Sequence, residues 1–167
     1  MLILHAGCGK QPLPQHPLFE GMEVRLDIDA DAEPDIVASI HDMGDIGTFD
    51  AVYSAHCLEH LHWDDAVKAL SEFFRVLNPG GFAMVMVPDL TGILPTEDEV
   101  YKTNHGFGIT GLDMFYGYRG YTSWNPYMRH QCGFVPATLK AMMERAGFGH
   151  VMTHSSDWNL TATGVKP

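Results

Sequence analysis

The residues best placed to do chemistry come first in the chain. Gly7 and Gly9 bracket Cys8 directly after an apolar run, Leu2-Ile3-Leu4. Glycine accepts a positive φ and lets a backbone or a ligand approach closely. A strand that breaks into Gly7-Cys8-Gly9 therefore presents a sharp turn to a small molecule. Asp27 follows Gly9 by 18 residues, within a second run in which Val24, Leu26 and Ile28 alternate. An acid at that distance is placed to accept hydrogen bonds from ribose hydroxyls, whereas Asp31 reads as a solubilising loop charge. Asp42 follows a third short run. His56, Cys57, His60 and His62 cluster after a fourth. His56 and His60, at i and i+4, would share one helix face, and the four could be drawn around a metal ion. No second ligand cluster accompanies them in the sequence, so the expectation is structural histidines and no bound metal.

Such side chains need a sheet to present them. Short apolar runs at 2–4, 23–29, 35–40, 49–54 and 82–87 predict five strands. The last is continuously apolar, as when both faces of a strand are covered. Three prolines within 10–17 (Pro12, Pro14 and Pro17) rule out a regular helix after the glycine turn, so the first crossover is abbreviated. Residues 63–77 predict a helix, with Asp64 as N-cap and Val67, Leu70, Phe74 and Leu77 facing the sheet; Asn78-Pro79-Gly80-Gly81 stops it. Residues 135–146 predict a second helix, with proline in the first turn and Gly147 as its cap. Residues 150–155 and 158–163, joined at Ser156-Asp157, predict a closing hairpin. Residues 90–133 are rich in aromatics and glycine and show no clear element; they predict either a lid over a pocket or a pair of short helices at a sheet edge.

Composition bounds the partners. The 167 residues fit one domain, and the net charge of −11 comes with scattered lysines and arginines. Nucleic acid and membrane surfaces are poor candidates for partners on that ground. No apolar run approaches a membrane span. Met1 leads directly into the first strand and the cysteines Cys8, Cys57 and Cys132 are odd in number with no CxxC pair, which predicts a cytoplasmic protein without disulfides. A nicotinamide fingerprint would need a third glycine where Pro12 stands.

In this order and spacing the chain resembles class I S-adenosylmethionine-dependent methyltransferases, and more narrowly the small type 11 group. The resemblance is carried by the glycine turn, the acids after strands two and three, and the closing hairpin. Three segments carry it further: 49–61 (FDAVYSAHCLEHL), 70–81 (LSEFFRVLNPGG) and 142–148 (MMERAGF). It covers 1–89 and 134–167 and leaves the aromatic middle outside. It implies a Rossmann-like three-layer α/β/α sandwich with a seven-stranded, mostly parallel sheet and a C-terminal antiparallel hairpin, within a single domain over 1–167. It implies S-adenosylmethionine as cofactor, with Gly7, Cys8 and Gly9 near the methionine part, Asp27 at the ribose, Asp42 and Met43 at the adenine, His56 near the methyl group, and Ile28 and Ala55 also among the cofactor-binding residues. His5 stands where the family usually has an acid that helps hold the cofactor's ammonium. Methyl transfer is a displacement that needs alignment above all, with a general base only where the acceptor loses a proton. His56 is the first candidate for that base. Tyr101, His105, Trp124 and His130 are candidates to meet a small-molecule acceptor. A non-catalytic binding protein on the same fold is the alternative.

Overall fold

The computed structural model describes residues 1–103 and 105–167. Among these residues nine strands form: β1 (Leu2–Ala6), β2 (Met22–Asp27), β3 (Ile36–Val37), β4 (Phe49–Ala55), β5 (Leu77–Pro88), β6 (Glu99–Lys102), β7 (Gly108–Thr110), β8 (Gly149–Ser156) and β9 (Asn159–Val165). Seven of them make one sheet in the order β3-β2-β1-β4-β5-β9-β8, and β6 and β7 pair separately. The first five strands of the large sheet are parallel, and β9 and β8 close it antiparallel. This is the Rossmann-like architecture expected from the sequence. β1 lies inside it, so Ile3, Leu4 and Ala6 are fully buried.

Among the described residues four α-helices accompany the strands: α1 (Trp63–Val76), α2 (Gly111–Tyr116), α3 (Arg119–Thr122) and α4 (Pro136–Ala146). Helices α1 and α4 pack on one face of the sheet, in a core that includes Leu70, Phe73, Leu139 and Met143. Burying one such side chain contributes about 1.5–3 kcal/mol. The opposite face has no helix of this kind among the described residues. The proline-rich crossover covers it, through a single 3₁₀ turn (Pro17–Phe19) that sets Phe19 against Tyr53 and Phe82. That layer is thin, and β5 records it: Ala83, Val85 and Val87 are fully buried, while Phe82, Met84 and Met86 on the other face are only half-buried.

Several local expectations need correction. The buried stripe of α1 is Ala66, Ala69, Leu70, Phe73 and Val76, and Val67 is exposed. The small Ala66 and Ala69 let the helix settle close to the sheet, which turns Val67 outward. Its N-cap is His62, without a side-chain hydrogen bond, and Asp64 sits inside the first turn. The helix stops because Leu77 turns to extended backbone and enters β5; residues 78–81 form an irregularity within that strand's pairing to β4. The hairpin turn falls at Asp157 and Trp158, both with positive φ (49° and 69°), the geometry that suits the twist of a two-residue hairpin.

Residues 90–133 hold more structure than the sequence suggested. The hairpin β6–β7 leads into α2, which a capping box closes: Thr110 Oγ1 accepts from Asp113 N, and the Asp113 carboxylate accepts from Thr110 N. Asp113 is buried, and Arg119 donates to it at 3.1 Å while also bridging to Glu97. Hydrogen bonds from Thr110 and Arg119 hold the Asp113 carboxyl below its usual range against the cost of its burial, and Glu97 and Asp113 hold Arg119 above its own. The segment thus carries two strands and two short helices where the sequence showed no clear element.

Candidate active site

The carboxyl ends of β1 and β2 meet in one polar knot. Gly7 (φ 72°) and Gly9 (φ 48°) make the sharp turn. The carbonyl of Leu26 accepts from both Gly7 N and Cys8 N, at 2.8 and 3.1 Å. Asp27 Oδ2 accepts from Gly9 N at 2.7 Å, and its Oδ1 accepts from Asp29 N at 2.9 Å. Arg25 donates to Gly9 O at 2.6 Å. The turn's own donors are therefore satisfied internally, and the space above Gly9, where a side chain would begin, is open. At Gly7 a Cβ would run into the Cys57 thiol, so glycine is required there by space as well as by φ. Strand order reverses between β1 and β4, which is where open α/β sheets bind ligands.

Beside it, β4 ends in Ala55 and His56. His56 takes a positive φ of 50°, unusual for a residue with a side chain. Its Nδ1 lies 3.4 Å from Glu59 Oε1, close enough for attraction but not aligned as a hydrogen bond. Burial alone lowers the His56 pKa; the Glu59 carboxylate outweighs it and holds the imidazole above its usual value. Glu59 belongs to a 3₁₀ turn (Leu58–His60) and is 1% exposed. A cleft of about 330 Å³ opens in front of these residues. Its walls come from β6, α2 and the hairpin turn: Tyr101 and Trp158 stack with ring centroids 6.0 Å apart, and His130 closes the far side. A larger hollow of about 490 Å³ lies at the other end of the strands, between the proline-rich crossover and the start of β2, away from these groups.

The structure gathers His56, Tyr101, His105 and His130 around one cleft. Trp124 is not among the described residues that line it; its ring is exposed and donates to Gly120 O. Gly7, Gly9, Asp27 and the exposed Ile28 lie at the carboxyl ends of their strands; β3 stops at Val37, short of the run to residue 40 expected from the sequence, and the exposed Asp42 follows in an isolated bridge with Ser39. Met43 and Cys8 turn their side chains into the interior, and Met43 N donates to Glu72. His5 is buried with its Nδ1 2.7 Å from Glu23 Oε1. Burial outweighs the carboxylate and holds the His5 pKa below its usual value, so a neutral ring donates Nδ1–H to Glu23. Burial also raises the thiols of Cys8, Cys57 and Cys132, the last to about 12, and all three are free. They are poor nucleophiles. Of the four residues drawn around a metal, Cys57 packs on Gly7 and His62 is exposed at the start of α1. Glu59, Asp113, Trp158 and Asn159 also line the cleft and were not singled out from the sequence. An acid set between Leu58 and Leu61 was the one available sign for Glu59.

A family profile described as a methyltransferase domain matches residues 7–152. The chain belongs to that family. This methyltransferase domain has no match among curated proteins. Its fold is shared by an O-methyltransferase family protein from Burkholderia thailandensis, at 14% identity and a TM-score of 0.64, over 99% of this chain and 50% of that one. A SAM dependent methyltransferase from Archaeoglobus fulgidus matches at 14% identity and 0.65, over 99% and 86%. Burkholderia thailandensis 1,6-didemethyltoxoflavin-N1-methyltransferase, solved with 1,6-didemethyltoxoflavin and S-adenosylhomocysteine bound, matches at 16% identity and 0.62, over 99% and 70%. This methyltransferase domain thus spans about half the length of the first of these proteins. Among its described residues no helix is long and apolar enough to cross a membrane.

Proposed function

We propose that this methyltransferase domain transfers a methyl group from S-adenosylmethionine to a small-molecule acceptor. The observation that carries the reading is the clasp of Asp27 on Gly9, which joins an open glycine turn to a carboxylate at the sheet's switch point. Each Asp27 oxygen takes one backbone N–H and keeps lone-pair capacity for a ribose hydroxyl. The residues fit the cofactor: bare backbone at Gly9 for its methionine part, Asp27 and Ile28 for the ribose, and the exposed Asp42 for the adenine, with Met43 packed in the core beneath. Ala55 and His56 end the adjacent strand. When bound, the cofactor supplies a methyl group on a sulfonium, already activated toward displacement.

The chain's own residues then do three things. The glycine turn and Asp27 fix one reactant against the strand ends. The aromatic walls at Tyr101 and Trp158 exclude water and orient an acceptor. His56, held half-exposed beside Glu59, takes the acceptor's proton where one must be lost. An acceptor of small-molecule size is favoured by the cleft's volume, by the net charge of −11, and by the bound small molecule in the Burkholderia N1-methyltransferase.

Calorimetric titration with S-adenosylhomocysteine, with NAD as a control, tests the reading. Micromolar binding of the first alone is expected. A folded protein that binds neither would remove the catalytic reading and favour the non-catalytic one, for which the pairing of His5 with Glu23, in place of an acid before the glycine turn, is the supporting observation.

A further inference from the structure

Glu59 is the anomaly of the cleft. Its side chain is 2% exposed, and neither carboxylate oxygen has a hydrogen-bond partner among the described residues. A buried, unpartnered carboxylate is costly unless a positive charge compensates it. His56 Nδ1, at 3.4 Å from Oε1, offers one such charge without a hydrogen bond, and two further imidazoles stand beside the carboxylate. One ligand atom from each of Glu59, His60 and His130 lies within 4.8 Å of the others, and the rings of His60 and His130 meet edge to face with centroids 5.1 Å apart.

The two histidines are held in a defined tautomer. His130 Nδ1 lies 2.9 Å from Met114 O, and His60 Nδ1 lies 3.2 Å from Arg129 O. A carbonyl oxygen only accepts, so each Nδ1 carries a proton, and Nε2 is the ring nitrogen left to face a metal. Metal-binding histidines are oriented in this way, through a hydrogen bond from the other ring nitrogen to a backbone carbonyl. The backbone is fastened as well. Gln131 N donates to Glu59 O at 2.7 Å, and the Gln131 side chain donates to His60 O at 2.6 Å. The segment carrying His130 is thereby tied to the turn carrying Glu59 and His60.

We infer that Glu59, His60 and His130 form a binding site for one divalent first-row transition-metal ion, with an open position facing the acceptor cleft. Two imidazoles and one carboxylate are the donor set of many catalytic zinc sites, which keep a further position for water or substrate. Nitrogen and oxygen donors together favour zinc, manganese, iron or cobalt over calcium or magnesium. A divalent ion on one carboxylate and two neutral imidazoles leaves one net positive charge, which an acceptor's ionised oxygen would match. That last step rests on the methyl-transfer reading; the metal site itself does not.

The test uses the full chain, stripped with a chelator and titrated with Co²⁺ and with Zn²⁺ alone. Expected are one equivalent of either metal bound at micromolar concentration or tighter, a visible absorption band for the Co²⁺ form, and bleaching of that band by Zn²⁺. His130→Ala and Glu59→Gln should each weaken binding by at least about tenfold, since changes merely adjacent to a metal already cost about that much; His62→Ala should not. Circular dichroism of each variant separates lost ligand from lost fold, and His130→Ala keeps the test alive should Glu59→Gln unfold. Absence of binding up to millimolar metal by a folded chain, or binding indifferent to both ligand variants, overturns the site. Titration of the same sample with S-adenosylhomocysteine reports separately on methyl transfer, so either idea can fail while the other stands.

Discussion

Replacing Asp27 by asparagine tests the clasp at the centre of the site. The carboxylate accepts from Gly9 N at 2.7 Å through one oxygen and from Asp29 N at 2.9 Å through the other. Asparagine keeps one acceptor and turns an NH₂ toward the second N–H, so one contact becomes donor against donor. A hydrogen bond to a charged group contributes about 1.5–3 kcal/mol. Asp27 is half-buried, so the lower part of that range applies, about 1.5 kcal/mol. For a domain of this size that lowers Tm by about 3–6 °C. Binding should suffer separately, because one of two ribose-facing oxygens is gone: loss of one charge-assisted contact weakens S-adenosylhomocysteine by about tenfold or more. Thermal denaturation and calorimetry on the same preparation measure both. A variant with lowered Tm but nucleotide affinity within twofold of the parent would make Asp27 a loop clasp alone. Unchanged Tm would refute the hydrogen-bond reasoning itself.

Gly7→Ala should lose both stability and nucleotide affinity, since its Cβ meets Cys57 at a φ of 72°; adding Cys57→Ala should recover part of the stability but not all, and full recovery would show that backbone strain contributes nothing. His56→Ala should lower turnover far more than S-adenosylhomocysteine affinity, and equal losses in steady-state kinetics and calorimetry would make His56 structural. His5 binds its proton less readily folded than unfolded. Between its folded pKa and the unfolded value of about 6.5, the unfolded chain holds more protons, so this contribution to stability is complete above about pH 6.5 and is lost as pH falls. The parent should therefore lose more Tm on acidification through that window than His5→Gln, and parallel curves would sink the assignment. Limited proteolysis within residues 90–133 should slow when S-adenosylhomocysteine binds if this segment closes over the cleft; unchanged cutting would remove closure.

The parts of the site that the sequence announced are those encoded by local type. A glycine pair after an apolar run and an acid 18 residues later need only two adjacent parallel strands to meet, and β1 and β2 supply them. The proline-rich crossover was legible for the same reason: proline forbids a helix whatever surrounds it. The face of α1 was not. Periodicity allowed Val67 or Ala66 toward the sheet, and packing distance chose the smaller residue. Glu59 and His130 stand about 70 residues apart in the sequence, and no local pattern joins them. Their meeting depends on the backbone of Gln131 docking on the turn after β4. Residues 90–133 hid their order because its main fastening, Asp113 with Thr110 and Arg119, is a network of polar groups that leaves no hydrophobic rhythm to read.

The short turn that follows β4 serves two masters. At one end Cys57 fills the space beneath Gly7; at the other, Glu59 and His60 anchor the strap that carries His130. Ligands on either side therefore push on the same few residues of backbone. Coupling of this kind is reciprocal: whatever factor one ligand imposes on the affinity of the other is returned unchanged. Order of addition, cooperativity between the two ligands and the grip on product would then all depend on the stiffness of that one short turn.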